Sequence, residues 1–244
     1  MLTIQAAIEA ADTLFVTANV YVAAGTYSVD SGGASAIVMR EGISLLGGYD
    51  PANWGIRDPA HRISKIVDIG SADLSTILSE AGVTNATVID GFFIQGSKTE
   101  TGKFKHGITV FNSSLTITNN TIDGGSSTVA GGSTNGIRVW TEVGVSGAGV
   151  TIITGNKITG GITMGTGATA TRGIYNIFDG QIMASGNVID GGISSSTSAG
   201  IWADGGTPIT TVHGNIINGG TGTSNGSWGI LIQAGTITAY NNLI

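Results

Sequence analysis

The sequence predicts an all-β fold, a right-handed parallel β-helix, and three observations lead to this prediction. A phrase ending in Gly-Gly recurs as SLTITNNTIDGG (114–125), VTIITGNKITGG (150–161), IMASGNVIDGG (182–192) and TTVHGNIINGG (210–220). A second phrase, built on a Gly-Ile pair, alternates with the first from Gly107 to Gly229. Glycine makes up 41 of 244 residues, without the strict third-residue period of collagen. Repeats of this kind indicate coils that stack and share one interior.

Asparagine anchors the first phrase in every repeat. Asn120, Asn156, Asn187, Asn215 and Asn242 follow one another at steps of 36, 31, 28 and 27 residues. These steps are too short for propeller blades, which need roughly 40–45 residues. We expect the asparagines to lie at bends, where their side chains bond neighbouring backbone and where asparagine tolerates left-handed conformations. Stacked asparagines are also expected to bond one another along the solenoid axis.

Two sets of apolar residues keep the same place in each repeat and predict the buried columns. Alternation along a strand places every second side chain on the same face. In the Gly-Ile phrase the inward pairs are Ile108/Val110, Ile137/Val139, Ile174/Asn176, Ile201/Ala203 and Ile230/Ile232. In the first phrase the column is Ile122, Ile158, Ile189, Ile217 and Ile244. One coil cannot bury such a face alone, so the columns require stacking.

The start of the chain differs from the repeats, although we expect one domain over 1–244. Ile4 and Ile8 lie one helical turn apart and predict a capping helix over 1–12, which would cover an open solenoid end. Irregular first coils follow over 13–96, with strands at 14–22, 43–49 and 87–96 and a tryptophan-bearing loop at 51–59. In that loop we expect Arg57 to pair with Asp50 or Asp58. Regular repeats of about 27–37 residues fill 97–244. No secretion signal precedes the helix and the last repeat phrase is cut short, so we expect a piece of a longer protein.

Composition excludes several functional classes. The net charge of −6 argues against nucleic acid, whose phosphates need a basic surface. No apolar run reaches the roughly 20 residues of a membrane-spanning helix, so we expect no membrane insertion. The chain has no cysteine, and His61, His106 and His213 lie in unrelated phrases. We therefore expect no metal site and no cofactor.

Several segments together resemble a known superfamily. They are IQAAIEAA (4–11), VYVAAGTY (20–27), ISLLGGYDPANWGIRDP (43–59), VIDGFFIQG (88–96) and the repeated NNTIDGG and GNVIDGG. They resemble the pectin-lyase-like right-handed parallel β-helix superfamily, and within it bacterial surface or secreted repeat proteins of unknown function. The resemblance covers essentially the whole chain and implies the fold and an extracellular or cell-surface location. It implies little about activity, because the superfamily includes lyases, hydrolases, epimerases, adhesins and phage tailspikes.

The outward face of the Gly-Ile strands holds the candidate ligand-binding residues. If the register holds, aromatic rings from three adjacent coils meet two arginines and one carboxylate there. The residues are Trp140, Tyr175, Trp202, Arg138, Arg172 and Asp204. Aromatic faces with a few polar groups suit sugar rings, and a solenoid face is long enough for a polymer. The alternative is that the low-complexity loops at 126–135, 162–171, 193–198 and 221–227 cover this face and bury the rings.

Three functions remain open. The leading one is a non-enzymatic scaffold or binding module, adhesin-like, whose partner is a polysaccharide or a surface protein. The second is a polysaccharide lyase or glycoside hydrolase with an atypical site near Arg138, Arg172, Asp179 and Asp204, since the polygalacturonase motifs of the superfamily are missing. No catalytic residue is assigned. Asp123 and Asp190 are better explained as turn residues than as a catalytic carboxylate pair. The third is a self-assembling filament, a homo-oligomer stacked through its solenoid ends.

Overall fold

The protein is a parallel β-solenoid of about seven turns. The computed structural model describes residues 3–32, 37–71, 75–99, 102–145 and 147–244. The backbone is almost entirely strand and turn, with one α-helix near the start of the described residues. Within these ranges no helix is both long enough and apolar enough to cross a membrane. The predicted all-β class, the repeat and the short N-terminal helix are therefore confirmed, and the handedness stays a prediction.

The strands are short and follow one another closely along the chain. The elements are α1 (Ile4–Leu14), β1 (Ala18–Ala23), β2 (Gly25–Val29), β3 (Ile37–Val38), β4 (Ile43–Asp50), β5 (Asn53–Arg57), β6 (Ser64–Asp68), β7 (Ser75–Ser79), β8 (Val88–Asp90), β9 (Phe92–Gln95), β10 (Phe104–Phe111), β11 (Thr116–Thr118), β12 (Thr121–Asp123), β13 (Ser126–Ser127), β14 (Ser133–Thr141), β15 (Thr151–Thr154), β16 (Lys157–Thr159), β17 (Ile162–Thr163), β18 (Ala170–Phe178), β19 (Gln181–Ser185), β20 (Val188–Asp190), β21 (Ile193–Ser194), β22 (Thr197–Asp204), β23 (Ile209–His213), β24 (Ile216–Asn218), β25 (Thr221–Gly222), β26 (Gly226–Ile232) and β27 (Thr236–Tyr240).

These strands form three long sheets and one short sheet. The first sheet has the order β1-β4-β8-β11-β15-β19-β23-β27, and the second β2-β6-β9-β12-β16-β20-β24. The third, which we call the long-strand sheet, has the order β3-β7-β10-β14-β18-β22-β26. A short fourth sheet joins β13, β17, β21 and β25. Neighbouring coils pair in parallel throughout, so each coil lies directly on the preceding one.

The register places the predicted apolar columns in the interior. In the long-strand sheet Ile137 pairs with Ile108 on one side and with Ile174 on the other, and all three side chains are fully buried. The second predicted column, Ile122, Ile158, Ile189 and Ile217, is also buried and stacked in register. Ile244 extends this column as predicted, because Leu243 pairs with Ile216, but its side chain is 70% exposed.

The anchoring asparagines form a continuous ladder along the corner between the first and second sheets. The Oδ1 atom of Asn187 accepts hydrogen bonds from the backbone N–H and the Nδ2 of Asn156, at 2.9 and 3.0 Å. The same pair of bonds joins each asparagine from Asn120 to Asn242 to the next. The ladder was predicted, and the left-handed conformation that asparagine tolerates at such bends does not fall on the anchoring asparagines themselves. Positive φ angles belong to the residue before each asparagine, for example Asn119 (54°) and Gly186 (63°).

The low-complexity segments are partly ordered as strands. Each begins with two residues of the fourth sheet and ends inside a long strand, so the connecting loop is shorter than predicted. In this sheet the Thr163 hydroxyl donates to Ser194 Oγ at 3.1 Å, and both side chains are fully buried. Serine and threonine therefore form a second polar column inside the coil.

The first coils contain two departures from the predictions. The predicted loop at 51–59 contains β5, which pairs antiparallel with β4 as a hairpin. Arg57 was expected to pair with Asp50 or Asp58, but its guanidinium forms an ion pair with Asp90, and Arg62 binds Asp50. The helix behaves as predicted, with Ile4 and Ile8 buried against the first coil and Thr3 capping its N-terminus.

Candidate ligand-binding groove

The long-strand sheet brings the predicted site residues onto neighbouring coils. One residue after the Gly-Ile pair, Arg138 of β14 aligns with Tyr175 of β18, and Tyr175 aligns with Trp202 of β22. One residue before the pair, His106 of β10 aligns with Asn135 and Asn135 with Arg172. The predicted columns are therefore those observed. His106 and Asn135 belong to the same surface, although they were not among the predicted site residues.

Glycine at the centre of each long strand lets both columns face outward. The positions flanking Gly136 at −1 and +2 both line the groove, so the alternation of the strand changes phase at this residue. A Cβ on Gly136 would lie 2.5 Å from Ile158 Cγ2 and 2.8 Å from the carbonyl oxygen of Gly173. These separations leave no room for a side chain. Only glycine fits where the strand backbone comes this close to its neighbours. The change of alternation at this residue brings both columns to one surface.

The two columns enclose a groove of about 470 Å³, within the size range of small-molecule sites. The side chains that give it chemical character are His106, Asn135, Arg138, Trp140, Arg172 and Tyr175. Gly131 and Ala168 of the loops line one edge. Trp140 and Tyr175 are half-buried rather than covered. The loops therefore border the surface and leave part of both rings accessible.

Arg172 is the central side chain of the groove and is only 8% exposed. Its guanidinium lies 4.1 Å from the ring centres of both Tyr175 and Trp202. Its Nη1 donates to Ser133 Oγ at 2.7 Å and to Asn135 Oδ1 at 3.3 Å. Burial, which disfavours the charged form, lowers the pKa of Arg172 to about 10. At pH 7 the side chain is therefore a buried cation stacked on aromatic rings.

His106 and Arg172 are linked through one amide. Asn135 Nδ2 lies 2.9 Å from His106 Nδ1, while Asn135 Oδ1 accepts from Arg172. Because the amide oxygen faces the guanidinium, the amide N–H₂ faces the imidazole and requires Nδ1 as an acceptor. Burial, followed by the charges of Arg138 and Arg172, holds the pKa of His106 well below its usual value. Neutral His106 therefore keeps Asn135, and through it Arg172, in one orientation.

Three predicted residues have roles that the sequence did not indicate. Trp202 is 8% exposed, donates from Nε1 to Gln233 and supports Arg172 from behind. Asp204 accepts a hydrogen bond from the Tyr175 hydroxyl at 3.2 Å. Arg138 lies over Trp140, with 4.2 Å between its guanidinium and the ring centre. Trp202 and Asp204 therefore position groove residues and do not line the groove themselves.

Other grooves are less suited to a ligand. A larger one, about 540 Å³, lies beside the β4–β5 hairpin, but its Arg57 and Asp90 pair with each other. Asp123 and Asp190 occupy one column, as expected, separated by Thr159. Asp123 Oδ1 accepts from Gly125 N and Asp190 Oδ1 from Gly192 N, so both act as turn residues. Among the described residues, no three His, Asp or Glu side chains converge on one point.

The buried imidazole makes a testable contribution to acid stability. Below the unfolded-state pKa of about 6.5, the unfolded chain takes up a proton at His106 that the folded protein does not bind. We expect this proton uptake by His106 in the unfolded chain to lower the free energy of unfolding as the pH decreases, by at most about 1.4 kcal/mol per pH unit. Urea denaturation between pH 7 and pH 5 measures the slope.

The matched variant for this measurement is His106→Gln, which should show a smaller slope over the same range. Carboxyl groups such as those of Glu41 and Asp50 have lowered pKa values and titrate below this window. Equal slopes for the wild-type protein and the variant would contradict the assignment of the effect to His106.

Comparisons with known proteins add no family assignment. No protein-family profile matches the sequence, and no curated protein matches it. Among solved structures the chain is similar to ORF18 of Geobacillus virus E2, with a TM-score of 0.39, 13% identity and coverage of 97% of this chain and 56% of that one. It therefore spans little more than half of that chain's length. It is also similar to the A-module of mannuronan C-5 epimerase AlgE4 from Azotobacter vinelandii, with a TM-score of 0.23, 13% identity and coverage of 99% and 90%.

Proposed function

We propose that the protein is a non-enzymatic, extracellular or cell-surface module that binds polysaccharide along the outer face of the long-strand sheet. The observation that carries the proposal is the groove in which aromatic rings and hydrogen-bonding groups from successive coils face solvent together. Half-buried Trp140 and Tyr175 offer the apolar ring surface that Arg138 and Arg172 leave uncovered, and the two guanidinium groups offer donors beside it. Sugar rings match these groups, because they have apolar C–H faces and hydroxyl groups at their edges.

The rings are held rigidly, which favours binding. Trp140 packs between Phe111, at 5.0 Å, and Phe178, at 6.0 Å between ring centres, and it carries Arg138 on its face. Tyr175 packs edge-on against Trp202. Stacking of a ligand on these rings costs little side-chain entropy, because the side chains are already ordered in the free protein. The outer face of the long-strand sheet continues across the stacked coils, so it is long enough for an extended polymer.

The enzymatic alternative has weaker support. A glycoside hydrolase needs two carboxyl groups on either side of the scissile bond. Asp179 accepts hydrogen bonds from Gly144 N and from the Thr207 N–H and hydroxyl, so it joins two loops. Asp204 is bonded to Tyr175 and to Gly205 N. Neither carboxylate lines the groove in the described residues. A lyase, which needs a base beside cations, is tested by the same experiment.

The test is a glycan array probed with labelled protein, followed by titration of the saccharides retained. We expect Trp140→Ala to weaken binding by about tenfold or more, because a stacking surface and the support of Arg138 are both lost. Trp54→Ala is the matched control. Trp54 is 54% exposed on the β4–β5 hairpin of another sheet, and its loss should leave affinity unchanged within about twofold.

Three results would contradict the proposal. One is an array without any retained saccharide, and another is equal loss of binding in the two tryptophan variants. The third is release of shortened or unsaturated products from a retained saccharide, which would replace the binding module by an enzyme. Binding of a surface protein with an empty array would favour a protein partner instead.

A further inference from the structure

We propose that the groove contains a subsite for an oxyanion, a carboxylate or sulfate group on the bound glycan, formed by Arg138 and Arg172. The inference rests on the proposed function, and it adds the chemical class of the ligand. Its basis is that the guanidinium groups of Arg138 and Arg172 both lie in the groove and that neither forms an ion pair within the described residues.

The hydrogen bonds of Arg172 leave one edge of its guanidinium free. Both bonds that it makes, to Ser133 and Asn135, come from Nη1. Its Nε is buried without a partner, and the rings of Tyr175 and Trp202 lie against the group. The Nε–Nη2 edge presents two parallel N–H groups, the geometry that binds carboxylate in a bidentate manner.

Arg138 has even fewer partners. It lies over the Trp140 ring, and its Nε is also buried without an acceptor. Within the described part of the chain its side chain makes no hydrogen bond and no ion pair. Burial lowers the pKa of Arg138 below its usual value without removing the charge at pH 7. The second guanidinium is therefore held in place by an aromatic face alone.

The two cations disfavour each other, and the charge of Asp204, which raises the pKa of Arg172, forms no ion pair with either of them in the described part of the chain. The positive charge of Arg138 is one of the causes that lower the pKa of Arg172. Buried charges in proteins are normally paired, because an unpaired one keeps its desolvation cost. The nearby carboxylate, Asp204, already accepts hydrogen bonds from Tyr175 and Gly205. An oxyanion entering from solvent would supply the missing acceptor to both arginines.

The remaining groups of the groove are compatible with an anion. No carboxylate lines it among the described residues, and Asn135 and Tyr175 provide neutral polar groups at its sides. The net charge of the whole chain is −6, so long-range attraction does not favour anions. Selection of an oxyanion at this place therefore depends on the local pair of guanidinium groups.

The experiment compares acidic oligosaccharides with their own neutral forms. Hexamers of galacturonic, mannuronic and guluronic acid are titrated by calorimetry beside their carboxyl-reduced counterparts, and a heparin-type sulfated oligosaccharide tests the other oxyanion. We expect at least one acidic ligand to bind about tenfold or more tightly than its neutral or desulfated form. Arg138→Gln should remove most of this difference and should fold normally, because the Arg138 side chain makes no hydrogen bond to the described chain.

Two further measurements make the test specific. Arg40→Gln is the charge-matched control, since Arg40 is exposed and pairs with Asp12 near the capping helix. It should leave the affinity unchanged within about twofold. Binding of an oxyanion should also raise the pKa of His106, measured by NMR, because the anion offsets the two arginines that depress it. The carboxyl-reduced ligand should not change that pKa.

The outcomes separate the two proposals. Equal affinity for acidic and neutral forms, or full affinity in Arg138→Gln, would overturn the oxyanion subsite and leave glycan binding intact. Failure of every oligosaccharide to bind, together with an empty array, would overturn the proposed function and this inference with it.

Discussion

Replacing Gly192 by alanine is expected to destabilise the protein by about 3 kcal/mol or more, far beyond the effect of the same change at Gly186. Both glycines have positive φ angles, 83° and 63°, where a side chain costs about 1–2 kcal/mol. They differ in the space around them. A Cβ on Gly192 would lie 2.2 Å from the carbonyl oxygen of Gly161, whereas a Cβ on Gly186 meets nothing within 4 Å.

The difference between the two variants isolates the contact between coils. The carbonyl of Gly161 belongs to the preceding coil, so relief of the clash would require the two coils to separate. The backbone hydrogen bond from Ile193 N to Gly161 O, 2.9 Å long, would be lost with it. Urea denaturation of the wild-type protein and both variants gives the two changes in unfolding free energy. Similar values for Gly192→Ala and Gly186→Ala would show that backbone conformation alone explains the glycine.

Removing one rung of the asparagine ladder should be comparably damaging. Asn187 is 1% exposed, and its Nδ2 donates to Ile153 O and to Asn215 Oδ1, both at 2.9 Å. Asn187→Ala leaves the backbone N–H of Asn156 without its acceptor in the interior and removes the donors to Ile153 O and Asn215 Oδ1. Each unsatisfied buried group costs about 1–3 kcal/mol, so we expect a loss of about 3–5 kcal/mol in total.

Two variants define the cause of that loss. Asn218→Ala removes an exposed asparagine that bonds to Asp190 and Gly220 N, and should cost less than about 1 kcal/mol. Asn187→Asp keeps the shape but places a carboxylate oxygen against the Ile153 carbonyl, so it should also destabilise, increasingly so as the pH rises. Thermal and urea unfolding of the three variants provide the measurements. Equal stability of Asn187→Ala and Asn218→Ala would exclude the ladder as a source of stability.

The period of the sequence predicted the columns of this fold correctly. The Gly-Ile pair sets the register between coils, so alignments such as Arg138 with Tyr175 and Tyr175 with Trp202 could be read from spacing alone. Parallel stacking leaves one register in which all the isoleucines are inside. The ladder followed from the same logic, since identical residues at one position of each coil must meet.

Features that depend on contacts outside the repeat could not be predicted in this way. Arg57 reaches Asp90, 33 positions away, because the hairpin folds over the corner of the first sheet. Arg172 lies against the rings of both Tyr175 and Trp202, a choice among side-chain conformations that spacing does not specify. His106 and Asn135 could have been found, since they share a column with Arg172. They were not chosen because spacing does not reveal the hydrogen bonds that link them to Arg172.

Successive asparagines of the ladder are 27 to 36 residues apart, and this spacing determines how long the synthesis of one coil takes. A ribosome that adds about 5–20 residues per second delivers one coil every ~1.5–7 s. Local strand pairing needs only about 1–10 μs, so each new coil has time to pair with the preceding coil before the next one is synthesised. In a quasi-one-dimensional solenoid every turn needs only its neighbour as a template. We therefore expect the nascent chain to wind in order, with one growing edge at any moment.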